Sequence, residues 1–94
     1  MSVAEIIRKK LEAALSPSLL EIVDESDRHK GHAGHRPGVE THFRITVIST
    51  AFAGKPRVAR QRMVTAALAE EMGNPVHALS MRTLTPVEAA AERA

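Results

Sequence analysis

Apolar residues near the start of the chain recur every three or four positions, the spacing of one face of an α-helix. The members of this stripe are Val3, Ile6, Ile7, Leu11, Ala14 and Leu15. Ser2 and Glu5 form the pattern of a capping box, which satisfies backbone amides of the first helical turn. Ser16 and Pro17 should end the helix, because the residue before a proline disfavours helical backbone. The pattern therefore predicts an amphipathic helix over residues 3–15.

Two segments are strand candidates, because side chains of a β-strand point alternately to its two faces. In residues 19–24, Leu20 and Ile22 share one face. In residues 41–49 the apolar and polar faces are formed by Phe43, Ile45 and Val47 and by His42, Arg44 and Thr46, respectively. Residues 25–40, with three glycines, predict a long loop, a length that is usually functional or disordered. The two strands should form an antiparallel pair that this loop connects.

The second half of the chain predicts a helix, a third strand and a short last helix. After a turn at residues 52–56, a helix should run from about residue 56 to 72 and end at Gly73. Its buried stripe comprises Val64, Ala67, Leu68 and Met72. Residues 76–84 predict the third strand. Residues 85–88, Thr-Pro-Val-Glu, form a second capping box that opens the last helix.

The predicted order of elements is α-β-β-α-β-α. The connection between the second and third strands contains a helix, so these two strands should be parallel if they share a sheet. The predicted fold class is α+β, with two layers in which a small three-stranded mixed sheet carries helices on one face. A length of 94 residues fits a single domain over residues 1–94.

Composition narrows the classes of function. The absence of cysteine excludes a disulfide, a thiolate zinc site, a cysteine nucleophile and an iron–sulfur cluster held by this chain's own thiolates. No phosphate-binding loop, dinucleotide fingerprint or nucleophile elbow is present, so we expect no enzyme. No apolar run approaches the roughly 20 residues of a membrane span. Glu5 and Arg8 interrupt any signal-peptide pattern, so we expect a cytoplasmic protein without membrane association.

Four of the five histidines fall between Glu25 and His42. His29, His32 and His35 are spaced every third residue among glycines. Two interpretations are open: a solvated loop that is rich in histidine, or a metal site, because neutral imidazole is a common metal ligand. A zinc or nickel site on the isolated chain is a less favoured version, since structural zinc sites usually include thiolates.

His77 lies in the predicted third strand, where alternation puts it on the same face as Leu79 and Met81. The favoured interpretation is a partly buried core histidine. In the alternative, His77 reaches the edge of the sheet from the start of the strand, near the loop of residues 25–40. The two segments would then share a ligand.

Four cations, Lys55, Arg57, Arg60 and Arg62, lie at the start of the predicted second helix. The helix dipole favours anions at this end. The segment is either a solvated charged turn or a surface that binds phosphate, as in duplex DNA, or a partner's carboxylate. No aromatic residue accompanies the cluster, so stacking on single strands is not supported.

Five short stretches, in order and spacing, resemble the BolA family. They are Val23-Asp24-Glu25-Ser26, Glu40-Thr41-His42-Phe43-Arg44, Val47-Ile48-Ser49, Phe52-Ala53-Gly54 and Val76-His77-Ala78-Leu79. The resemblance covers about residues 3–90. It implies a fold related to the class II KH arrangement. It also implies a heterodimer with a monothiol glutaredoxin that shares a bridged [2Fe-2S] cluster, in iron–sulfur cluster trafficking or iron homeostasis. The alternative it implies is a DNA-binding transcriptional regulator that uses the KH-like surface.

In that family the BolA side supplies a strand histidine, matched here by His77, and a loop residue that is Cys or His. Without cysteine, this chain resembles the histidine type. The Asp-Glu-Ser-x-x-His pattern points to His29 as the loop ligand, whereas the Gly-His-Ala-Gly match points to His32, and both stay open, as does the role of His35. The chain departs from the family at Gln61, where a histidine is usual, and lacks an aromatic residue after the last Thr-Pro. Alone, it should be a monomer or a weak homodimer.

Overall fold

The computed structural model describes residues 2–25, 42–73 and 76–93, with the side chain of Arg93 excepted. The elements in chain order are α1 (Val3–Leu15), β1 (Leu19–Asp24), β2 (His42–Ile48), a 3-10 helix (Thr50–Phe52), α2 (Arg57–Ala67), β3 (Ala78–Leu84) and α3 (Pro86–Arg93). The predicted order α-β-β-α-β-α is confirmed, with the short 3-10 helix as an addition.

The three strands form one mixed sheet in the order β1-β2-β3. β1 pairs with β2 antiparallel, and β2 pairs with β3 parallel, as predicted. The register sets Asp24 opposite Phe43, and His42 opposite Ala78. The last residue of β1 and the first residues of β2 and β3 therefore meet at one end of the sheet. We call this end, defined by Asp24, His42 and Ala78, the loop end.

The hydrophobic core lies between one face of the sheet and the two helices α1 and α2. It is aliphatic apart from two phenylalanines, as the composition predicts. Its buried members are Ile7, Leu11, Leu15, Phe43, Ile45, Val47, Phe52, Val64, Leu68 and Val76. The alternation predicted for β2 is confirmed, because Phe43, Ile45 and Val47 are at most 2% exposed. The shorter helix α3 instead lies beside Leu19 and Ile48, at the end of the sheet opposite the loop end.

Both predicted helix caps are present. The Ser2 hydroxyl accepts a hydrogen bond of 3.1 Å from the Glu5 amide, and α1 ends where Ser16 adopts a left-handed backbone with φ of 44°. At the start of α3, the Thr85 amide donates to the Glu88 carboxylate at 2.9 Å. The Glu88 amide donates in return to the Thr85 hydroxyl at 3.2 Å. These reciprocal bonds form the complete capping box that the sequence predicts.

Two predicted boundaries are wrong. The regular helix α2 ends at Ala67 rather than Met72, and turns follow it. β3 begins at Ala78 rather than Val76, because the backbone groups of Val76 are engaged elsewhere. The Val76 amide donates to the Glu71 carbonyl at 3.0 Å, and the Val76 carbonyl accepts from the Gly73 amide at 2.7 Å.

Among the described helices, none combines the length and the apolar character that crossing a bilayer requires.

Candidate functional site

His77 lies outside the regular strand, between the buried Val76 and the first residue of β3. Its side chain is exposed, although Leu79 and Met81, two and four residues further on, are half-buried against the core. The interpretation of His77 as a core histidine is therefore wrong. Alternation holds only within the strand, and His77 precedes it. Its position at the start of β3 is the one that the alternative interpretation requires.

The parallel pairing brings His77 to the segment that carries the other histidines. His42, the first residue after residues 26–41, pairs with Ala78, which directly follows His77. Glu25, the last residue before that segment, donates its amide to the His42 carbonyl at 2.8 Å. Glu25 and His42, the described residues that flank residues 26–41, thus both lie at the loop end. His29, His32 and His35 themselves lie outside the described residues, so their assignment as ligands stays a prediction.

The loop end also carries an ion pair. A guanidinium nitrogen of Arg44 lies 3.5 Å from a carboxylate oxygen of Glu25, whose side chain is only 18% exposed. This pair joins β2 to Glu25, the last residue before residues 26–41. Within residues 2–25, 42–73 and 76–93, no group of three or more histidines or carboxylates is arranged to hold a metal ion.

The His77 imidazole itself suits a ligand role. It is exposed, and among the described residues no hydrogen bond or ion pair engages its ring. Neutral imidazole binds iron, zinc, copper and nickel through one ring nitrogen. His77 can therefore contribute one donor to a metal centre at the loop end, provided that further donors come from elsewhere.

Three of the four predicted cations form an open basic surface at the start of α2. Lys55, Arg57 and Arg62 are exposed. Pro56, the N-cap residue, makes no side-chain capping bond, and the first turn of α2 contains no acidic residue. The amides of this turn and the three cations therefore combine in one electropositive surface, which we call the α2 surface (Lys55, Arg57 and Arg62).

Arg60 behaves differently from the other three cations. Its guanidinium makes a bidentate pair with Glu88 at 2.6 and 3.1 Å, and it donates to the carbonyls of Thr83 at 3.0 Å and Lys55 at 2.8 Å. It also lies over the Phe52 ring, 5.9 Å from the centroid. Its side chain is 11% exposed. The hydrogen bonds from Arg60, and then that from the Thr85 amide, lower the pKa of Glu88 to about 2. Arg60 therefore joins α2, β3 and α3, a role that spacing in the sequence does not reveal.

The two candidate surfaces lie at opposite ends of the sheet. β2 begins at the loop end with His42 and leads, after Ile48, to the 3-10 helix and the α2 surface. A strand of this length spans about 20 Å. A ligand at His77 and a ligand at the α2 surface would therefore not touch each other.

Comparisons with known proteins agree on one family. The sequence profile of the BolA family, described as BolA-like protein, matches residues 11–88. Human BolA-like protein 1 is 54% identical over 82 residues, which cover 87% of this chain and 57% of the human protein. The DNA-binding transcriptional regulator BolA of Escherichia coli is 44% identical over 85 residues, 90% of this chain and 77% of that protein. The structure of BolA1 from Arabidopsis thaliana matches with a TM-score of 0.84 at 40% identity, covering 94% of this chain and 96% of the other.

These relatives bear on fold and on function to different degrees. The three helices and the mixed sheet are those of the solved BolA structures, so the resemblance seen in the sequence is confirmed at the level of family and fold. The relatives are named as BolA-like proteins or regulators rather than as enzymes. The chain spans little more than half the length of its human relative.

Proposed function

This chain belongs to the BolA family, and from that premise we propose that it is a non-enzymatic partner of a monothiol glutaredoxin. The two proteins would form a heterodimer that shares a bridging [2Fe-2S] cluster and serves iron–sulfur cluster trafficking or iron homeostasis. The observation that supports this proposal most directly is the exposed imidazole of His77 at the loop end. It directly precedes Ala78, which pairs with His42, the first described residue after the segment that carries His29, His32 and His35.

The division of ligands follows from the donor chemistry of this chain. Without cysteine it offers imidazoles, so the thiolates must come from the partner and its thiol cofactor. His77 supplies one imidazole, and either His29 or His32 supplies the second. In an iron–sulfur cluster, histidine in place of thiolate raises the reduction potential, as Rieske centres show. Because imidazole must be neutral to bind iron, acid should weaken cluster binding.

Anaerobic reconstitution with a monothiol glutaredoxin tests the proposal. We expect a heterodimer whose visible circular dichroism shows a [2Fe-2S] cluster. Of the variants His29→Ala, His32→Ala and His35→Ala, one of the first two should change the spectrum, and His35→Ala serves as the matched loop control. Failure of the wild-type chain to form a cluster-bearing heterodimer would contradict the proposal. Tight binding of zinc or nickel by the chain alone would favour a simple metal-binding protein instead.

A second candidate function is duplex DNA binding through the α2 surface. It is supported by the exposure of Lys55, Arg57 and Arg62 around an uncapped helix start, and by the DNA-binding regulator among the relatives. The bidentate pair with Glu88 already occupies Arg60, so the remaining three cations of the predicted cluster carry this proposal.

The salt dependence of binding tests this second candidate. Each neutralised phosphate contributes about −0.9 to the slope of log K against log salt, so three cations predict a slope of roughly −3. Replacing Lys55, Arg57 and Arg62 together with glutamine should remove most of that slope. The matched control replaces Arg8 and Lys9, two exposed cations on α1, and should leave it unchanged. Duplex binding that survives the triple replacement would rule out the α2 surface as the DNA site.

A further inference from the structure

A buried carboxylate belongs to Glu71, the residue whose backbone carbonyl bonds to Val76, directly before His77. Glu71, in the turns that follow α2, is only 9% exposed, and its carboxylate accepts a hydrogen bond of 2.7 Å from the Lys10 ammonium of α1. The neighbouring Glu70 accepts from the same ammonium at 2.9 Å, but its side chain is 85% exposed. These two hydrogen bonds, the one to Glu71 first, raise the pKa of Lys10, so the ammonium remains charged. The pair ties α1 to the segment that leads into β3.

Stability alone explains this pair poorly. The second carboxylate oxygen of Glu71 is buried, and among the described residues it has no hydrogen-bond partner. Leaving a buried polar atom unsatisfied is costly. Buried ion pairs often contribute no more net stability than apolar side chains of similar volume, and their best-attested role is to select one arrangement over others. The Lys10–Glu71 pair is therefore expected to select one arrangement of the two chain segments that it joins.

The backbone of Glu71 holds the residue that precedes His77. The Glu71 carbonyl accepts from the Val76 amide at 3.0 Å, and the Gly73 amide donates to the Val76 carbonyl at 2.7 Å. Gly73 has a left-handed backbone with φ of +89°, which a residue with a side chain would adopt only with strain. Val76 is fully buried. Glu71 is thus held through its side chain by α1, and it holds Val76 through its main chain.

We propose that the Lys10–Glu71 pair positions His77, by holding Glu71 where its carbonyl bonds to the Val76 amide and so fixes the residue from which His77 continues. The inference rests on the proposed function, in which His77 is a cluster ligand. Histidine ligands are usually oriented by a hydrogen bond to their second ring nitrogen. Among the described residues no such bond engages His77, and the link that the structure shows to it runs through the backbone of Val76.

Two variants and two controls test the positioning role. Glu71→Gln and Lys10→Met remove the ion pair, whereas Lys10→Arg retains it. Glu70→Gln removes only the exposed partner of the same ammonium. In the lone chain, hydrogen exchange at the Gly73 and Val76 amides should accelerate about tenfold or more in the first two variants, and stay within twofold of wild type in the controls. In the heterodimer with a monothiol glutaredoxin, the first two variants should release the cluster roughly tenfold faster, with altered visible circular dichroism, as expected for a lost outer-shell interaction.

The measurements separate failure of this inference from failure of the proposed function. Unchanged amide exchange in both Glu71→Gln and Lys10→Met would overturn the positioning role, whatever the cluster does. Faster exchange with an unchanged cluster lifetime and spectrum would also overturn it, because the pair would then be merely structural. If wild type binds no cluster with the glutaredoxin, the proposed function fails, and the positioning role that rests on it fails with it. Should Glu71→Gln fold poorly, Lys10→Met and the rescue by Lys10→Arg decide the matter.

Discussion

The variant His77→Ala is expected to lose the visible circular dichroism of the cluster that we propose it shares with a monothiol glutaredoxin. A direct ligand of the proposed cluster is removed, so the cluster lifetime should fall by roughly a hundredfold or more, beyond the 10–100-fold typical when only a residue that supports a ligand is lost. Because the imidazole is exposed and makes no hydrogen bond among the described residues, the free energy of unfolding should change by no more than about 0.5 kcal/mol. Visible circular dichroism of the anaerobic complex and denaturation of the lone chain check the two parts.

Two further variants at the loop end sharpen this test. His77→Cys offers a thiolate and should retain a cluster, with a lower reduction potential than wild type. His42→Gln removes the other histidine of the described loop end, whose side chain is half-buried and which anchors β2 through its backbone. It should leave the spectrum close to that of wild type. A spectrum unchanged in His77→Ala, or abolished in His42→Gln alone, would show that the ligand has been misassigned.

Truncating Phe52 should produce the largest loss of stability, about 3–5 kcal/mol for Phe52→Ala. The ring is fully buried in the 3-10 helix between the sheet and α2, and the Arg60 guanidinium lies over it at 5.9 Å. Removing the ring leaves a cavity and takes away the surface on which Arg60 rests. Since small domains have only about 5–15 kcal/mol of stability, much of the total would be lost. The chain has no Trp or Tyr, so far-ultraviolet circular dichroism in a urea titration is the suitable measurement.

Control variants distinguish the effect of a core substitution from that of a surface substitution, and a loss of stability from a loss of cluster binding. Phe52→Leu retains part of the volume and should cost about 1–2 kcal/mol. Val58→Ala, at a position that is 54% exposed on α2, should change the free energy of unfolding by no more than about 0.5 kcal/mol. Phe52 lies beyond the opposite end of β2 from His77, so Phe52→Leu should leave the cluster spectrum unchanged. A loss below about 1 kcal/mol for Phe52→Ala would mean that the core does not depend on this ring.

Local patterns predicted most of the fold. The bounds of α1 and β1 match the prediction, because Ser2 caps the helix, Ser16 ends it and Leu20 and Ile22 share one face of the strand. The capping box at Thr85 is equally local. Each of these features depends on neighbours within four residues, so the sequence is sufficient to place it. The parallel pairing of β2 and β3 also followed from the connection between them. A connection long enough to contain a helix is a crossover, which joins parallel strands.

The parts that sequence missed depend on distant contacts. β3 starts late because Val76 bonds to Glu71 and Gly73 rather than to β2, which no strand pattern reveals. The exposure of His77 has the same cause, because these bonds leave His77 before the strand and outside its alternation. Arg60 resembles the other cations of its cluster until Glu88, 28 residues later, is brought against it. The choice between His29 and His32 stays a prediction, because both lie outside the described residues.

The parallel pairing has a consequence for how the protein is made. β1 and β2 are consecutive and pair directly, so this hairpin can form while the ribosome is still elongating the chain. The loop end is completed only by β3. Its first residue, Ala78, pairs with His42, although the whole of α2 lies between these two residues in the sequence. A nascent chain that stops short of β3 has the histidine-bearing segment but lacks the strand that follows His77. Under the proposed function, the cluster is then loaded only onto chains in which β3 has already been made.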